Sequence, residues 1–288
     1  LSYPLRLPDE IQADALRLLE VSREVINRTV TALWDELDAF ATHTNTHAYK
    51  QVEEMITPPR SHGHRQWRCE AEQVGRILRS QAARKQHFAV ILPVLSRGMI
   101  QPKTATQRAG KHRKAMKDAL AAVRAAEADS DGGSTVELQS LIEQACTFYL
   151  HNGCFPTTYE AMQPVPVLNA GILPYAGDDG PVLGQTYRMS YDLDQQTLTL
   201  ALRTPDEQGA WVRTWREHTV QMKVPDIVVS RAREGSPLAP TLREIVESDG
   251  TRYAELDVGV EVSRFQEKTQ PPLRTSRRCL ASIGVYAC

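Results

Sequence analysis

Fourteen basic side chains lie between positions 60 and 117: Arg60, Arg65, Arg68, Arg76, Arg79, Arg84, Lys85, Arg97, Lys103, Arg108, Lys111, Arg113, Lys114 and Lys117. Only Glu70 and Glu72 oppose them, so this stretch carries +12 in a chain whose formal net charge is −1. The flanks are acidic: residues 1–59 carry −5 and 118–187 carry −8, while 188–288 balance. Charge segregated this strongly creates a local field whose natural partner is a polyanion. Arg dominates the first half of the run, and its planar fork matches phosphate oxygens better than an ammonium does. A second, smaller set joins it: Arg213 and Arg216 interleave with Trp211 and Trp215, a pattern suited to base stacking or cation–π contact. Trp packing on a sheet face accounts for those two aromatics equally well.

Other chemistry is thinly supported. His62, His64 and Cys69 lie close together, and Cys146-x4-His151-x2-Cys154 has a spacing zinc uses, but neither cluster alone supplies four ligands. Glu255 and Asp257 share a strand face by their i, i+2 spacing, and with Asp192 and Asp194 they form the nearest thing to a carboxylate pair for metal-assisted chemistry. Alternating acids on a solvent-facing strand are the commoner meaning of that pattern. No P-loop, GxGxxG, GxSxG or HExxH is present. The expectation is therefore a binding protein, with no catalytic residues and no metal of its own in this chain.

The elements that position the basic run follow from periodicity. Leu1 to Leu7 reads as a strand ended by Pro8, and Asp9 can cap a helix. Apolar residues from Ile11 to Phe40 recur at three- and four-residue steps, predicting one helix of about nine turns to Thr42. A shorter helix is expected at Tyr49–Ile56. A second long helix is predicted over Gln66–Leu95, with Val74, Ile77, Leu78, Gln81, Phe88, Ile91 and Leu92 inward and Arg68, Glu72, Arg76, Arg79 and Gln86 opposite; Pro93 should kink or end it. Residues 104–128 are Ala- and Lys-rich and helix-prone. After a break at 129–133, Ser134 and Glu137 form a capping box for a further helix that Gly153 and Pro156 stop. From about residue 164 the period changes to two. Thr186–Leu193 and Leu198–Leu202 predict a hairpin; Trp211–Trp215, Val220–Val224, Ile227–Ser230 and Arg252–Val262 are further strand candidates, with a short helix at Ala239–Glu247. The expected class is α+β: an antiparallel, OB-like β-barrel interrupted by helices.

A length of 288 residues suits two domains, or one with a large insertion. An apolar fraction of 41% and a charged fraction of 24% are those of a chain that can bury a core. Five cysteines form no disulfide framework, and neither a signal peptide nor an apolar run of membrane-spanning length is present. A cytoplasmic location is expected. The missing initiator Met suggests a trimmed start.

The order strand, basic helical insertion, barrel and fresh strand resembles the N-terminal half of the RNA-guided nucleases of the TnpB and type V CRISPR families. Tyr3 to Leu7 looks like their first wedge strand, and Ser22 to Asn27 resembles the early recognition helix with its Asn. Arg68-Cys69 and Gly75 to Gln81 resemble the second helix; Tyr187–Thr204 is similar to the returning wedge strands; Ala281 to Val285 looks like the start of a RuvC-like strand. The resemblance implies a wedge strand at 1–8, a helical recognition lobe at 9–163, a wedge barrel at 164–276 and a truncated nuclease start at 277–288. It implies guide RNA and target DNA as partners, and Mg²⁺ in a nuclease domain of the parent protein. The Asp that would bind that Mg²⁺ is expected after Val285, where this chain has Tyr286. The competing class is a non-enzymatic adaptor, whose basic helices dock an acidic protein or the chain's own acidic segment at 118–187.

Overall fold

Residues Ile11, Ala15, Leu18, Leu19, Ser22 and Ile26 face inward along α1 (Asp9–Ala32), the three- and four-residue rhythm of an amphipathic helix. The computed structural model describes residues 2–41, 47–58, 64–97, 135–174, 187–204, 216–234, 236–237 and 240–261, with 114, 117, 118 and 121 between them. The helix opens with the Pro8 carbonyl accepting the Ile11 N–H at 3.1 Å, so Asp9 is a first-turn residue and not the cap. It also stops earlier than its period predicts. Leu33 leads into a 3₁₀ turn, Trp34–Glu36, and then α2 (Leu37–Ala41). The tighter winding has a reason: Trp34, Leu37 and Phe40, spaced by three, are all buried.

Further helices follow: α3 (Ala48–Met55), α4 (His64–Arg97), α5 (Thr135–Asn152) and the single turn α6 (Tyr159–Met162). α4 runs through Pro93 without ending. The carbonyl that Pro93 cannot bond belongs to Ala89, which is exposed and can be hydrated. α5 ends where the sequence says it should, at Gly153, whose φ of 74° is open to glycine and whose N–H donates to the Tyr149 carbonyl.

The strands are β1 (Ser2–Arg6), β2 (Ile172–Pro174), β3 (Tyr187–Asp192), β4 (Thr197–Thr204), β5 (Arg216–Lys223), β6 (Ser236–Pro237), β7 (Thr241–Val246) and β8 (Arg252–Glu261). One sheet has the order β1-β8-β7-β2, with β6 on the far end of β8; the other is β3-β4-β5, and every pairing is antiparallel. The fold is thus α+β. Among the described residues the two sheets are separate ladders that close no barrel.

Two elements differ from their sequence reading. The stretch at 227–230 is helical, inside α7 (Asp226–Glu234), because the Pro225 carbonyl accepts the N–H groups of Val228 and Val229 and starts a turn that β-branching does not prevent. The helix expected at 239–247 is instead β7, where burial alternates from Leu242 to Glu244 and the strand is paired on both edges. Partners on both sides outweigh the helix preference of its Leu and Glu. The strand expected at 211–215 and most of the helix expected at 104–128 lie outside the described residues, as does the chain from 262 onward.

The chain divides into two compact units. One takes the described residues of 1–29, 46–75 and 167 onward, the other those of 30–41 and 76–166. In the first unit both sheets and α1 share one core, with Leu5, Leu18, Leu173, Tyr187, Leu200, Leu242 and Leu256 in it. Tyr187 ties the sheets directly: its hydroxyl lies 3.1 Å from the Leu173 carbonyl and 3.0 Å from that of Pro240. α1 is fastened to the β part by amide and charge. Gln12 bonds the Leu7 and Ala254 carbonyls and accepts the Ala254 N–H; Asn27 both donates to and accepts from the Leu168 backbone. The Glu244 carboxylate, fully buried, accepts from Arg23, Arg252 and the Gly171 N–H. The second unit is built around Tyr159, whose ring meets Trp34 and Phe88 and whose hydroxyl is 2.6 Å from Gln81 Oε1.

Candidate nucleic-acid interface

α4 carries the basic run, and its helical period decides which of those side chains can meet a ligand. Gln66, Trp67, Glu70, Ala71 and Val74 are buried in the first unit, whereas His64 and Arg68 are exposed. Arg68 reaches the neighbouring helix: its guanidinium carbon lies 5.2 Å from the centroid of the Tyr49 ring, and the His47 ring is 5.6 Å from Tyr49 on the other element of that corner. The two acids counted against the run both have structural contacts. Glu72 accepts the Tyr49 N–H at 3.0 Å, serving as the anion at the start of α3, where His47 makes no side-chain cap. Glu70 is wholly buried, accepts from Gln66 Nε2 at 2.8 Å, and is pushed up to about 8 by desolvation, against the lowering effect of the Gln66 amide and the Ser22 hydroxyl. At neutral pH it is largely protonated.

In the second unit the basic residues divide. Arg76 is exposed; Arg79 is half-buried with its Nε out of solvent, and burial lowers its pKa. Arg84 donates to Gln144 of α5 at 3.2 Å. Lys85 is paired twice, with Asp38 at 2.9 Å and Glu160 at 2.8 Å. Burial alone would lower its pKa and is the largest single influence, but the two carboxylates together raise it. Arg84 and Lys85 are thus spent on internal order, which spacing alone did not reveal. Lys114 and Lys117 are exposed. Arg65 is half-buried, and Arg216 lies on β5. The side chain of Arg97, and the whole of Arg60, Lys103, Arg108, Lys111, Arg113 and Arg213, lie outside the described residues.

The remaining candidate clusters resolve into ordinary contacts. Arg243 bridges Glu255 at 3.4 Å and Asp257 at 3.2 Å, so that carboxylate pair belongs to an ion-paired row on the sheet. Asp192 accepts the N–H groups of Asp194 and Gln195 in the hairpin turn. Cys146 is buried, Cys154 is exposed, and His151 Nδ1 lies 2.8 Å from the Thr147 carbonyl. Burial pushes the Cys69 and Cys146 thiols up to about 11, with nearby carboxylates adding to it, so neither is a ready thiolate. Among the described residues no three His, Cys, Asp or Glu side chains converge on a possible metal position, and no helix is long and apolar enough to cross a membrane.

Tyr49 is the residue that sequence reasoning missed. The signal was present in His47-x-Tyr49-Lys50, an aromatic pair beside a cation, but only the fold brings it to Arg68. No family model matches the chain, and no curated protein or solved structure matches it.

Proposed function

We propose that this chain binds nucleic acid through the basic residues of α4 and the segment that follows it, as the guide-RNA- and target-DNA-binding portion of an RNA-guided effector of the type V kind. The two sheets would then belong to a wedge-type barrel, and Mg²⁺ chemistry to a nuclease domain of the parent protein. One observation carries most of the reading: β1 pairs with β8, Ser2 opposite Gly259 and Arg6 opposite Glu255. The helical segment is therefore an insertion after the first strand of a sheet that the chain completes some 250 residues later, and the insertion holds the +12 stretch. A heteroduplex is recognised by its backbone and shape, which needs cations and a scaffold but no catalytic pocket.

The test is purification at moderate salt followed by sequencing of whatever nucleic acid accompanies the protein. A single structured RNA with a shared scaffold and a variable end is the expected result. Affinity should fall steeply with salt as counterions are released. Replacing Arg68, Lys114 and Lys117 with Glu should abolish most binding while circular dichroism stays unchanged; undiminished binding would overturn the assignment. Those three are exposed, whereas a Glu at half-buried Arg79 would confound binding with folding.

The adaptor reading draws on the Lys85–Glu160 pair, a case of the run folding on the chain's own acidic segment. A preparation free of nucleic acid, unaffected by salt, would favour it.

A further inference from the structure

Resting on the nucleic-acid reading above, we propose that Tyr49 and Arg68 form a ledge on which an unpaired nucleobase stacks, so that this corner of the first unit selects single strands over duplex. Three planar groups meet there. The Arg68 guanidinium sits over the Tyr49 ring, and the His47 ring lies beside it at an interplanar angle of 41°. His47 and Arg68 are exposed and Tyr49 is half-buried, so the assembly presents a π-surface with a cation on it.

The backbone that carries this ring is held from behind. The Tyr49 N–H donates to Glu72. One residue earlier α3 crosses α4 so closely that a Cβ on Gly75 would lie 2.6 Å from the Ala48 Cβ and 2.7 Å from its carbonyl oxygen. Backbone contact without intervening side chains sets the point from which the ring projects, and the Arg68 guanidinium packs on the ring, which lowers the ordering cost of binding. Exposed Arg68 and Lys50 can meet flanking phosphates. The exposed acid of α3, Glu54, is five residues from Tyr49 and so about 140° around the helix. Glu53, one turn on from Tyr49, has its Oε1 out of solvent.

A base inside a duplex has both faces covered by its neighbours. Only an unstacked base can lie on a guanidinium or a phenol ring, and such stacking is tolerant of sequence. The ledge therefore holds a splayed or single-stranded nucleotide, while the rest of the run meets phosphates, which both duplex and single strands present.

The experiment uses the full chain stripped of nucleic acid at high salt, and fluorescence anisotropy with labelled oligouridylate, oligothymidylate and a blunt RNA duplex of equal length. Tyr49→Leu should weaken single-strand binding about tenfold, the size expected for one stacked base, with duplex binding changed less than about twofold. Tyr49→Phe keeps the ring and should keep the affinity. A loss on only one of the two single strands still supports the ledge and names its strand. No loss on either, or an equal loss on duplex, overturns it while leaving the nucleic-acid reading intact. If the unmodified chain binds none of the three probes, that reading falls first and the ledge with it.

Discussion

Glu70 changes the electrostatics of the basic run because of where its side chain sits, with no exposed surface and the Gln66 amide donating to it. Its folded pKa of about 8 lies above the ordinary 4.5, so folding favours the protonated form. The sign follows directly: that contribution is whole below about pH 4.5, shrinks as the unfolded chain alone loses the proton, and is gone once the pH passes about 8. Thermal melts from pH 5 to 9 should show the chain losing stability relative to Glu70→Gln, which keeps an acceptor for Gln66 and cannot ionise. Parallel curves would mean the carboxyl is already ionised in the fold. The position was legible in principle, since Glu70 lies four residues before Val74 on the apolar stripe that includes Leu78 and Gln81. What spacing does not carry is whether an acid on such a stripe is wholly removed from water. Lys85 is the reverse case, a charge assigned to a ligand that Asp38 and Glu160 already hold.

Among the elements, the body of α1 was readable because its buried stripe keeps a helical period, and β3, β4, β5 and β8 because theirs alternates. Ends and short pieces were not. Whether α7 or β7 is helical depends on the Pro225 carbonyl and on partners at distant positions, β2 and β8. Two helix contacts are made by absence. A Cβ on Gly171 would stand 2.6 Å from the Leu19 carbonyl oxygen, as one on Gly75 would meet Ala48. In each case the obstacle is backbone and cannot rotate away, so Gly171→Ala should cost about 2 kcal/mol or more in urea denaturation. Glu244 has a comparable role by charge. Glu244→Ala removes the acceptor for Arg23, Arg252 and the Gly171 N–H at a fully buried site, and a loss of about 3 kcal/mol is expected. A loss below about 1 kcal/mol would show that water replaces the carboxylate there.

Across the whole molecule, the charge pattern and the change of period were visible at once, while the partition of α1 and α4 between units was not, since helical periodicity runs unbroken through residues 29 and 75. The pairing of β1 with β8 has a further consequence, for the order of events during synthesis. At about 5 to 20 residues per second, the ribosome delivers the partner of β1 tens of seconds after β1 itself. β8 is the inner strand between β1 and β7, so until it emerges β1 lacks the strand it pairs with and β7 has only β2. For that interval the apolar side of Leu5 and Leu7 and the inner face of α1 have no finished core to enter. Nascent chains stalled before residue 252 should therefore be protease-sensitive at their N-terminal strand and retained by holdase chaperones, and release of β8 should end both.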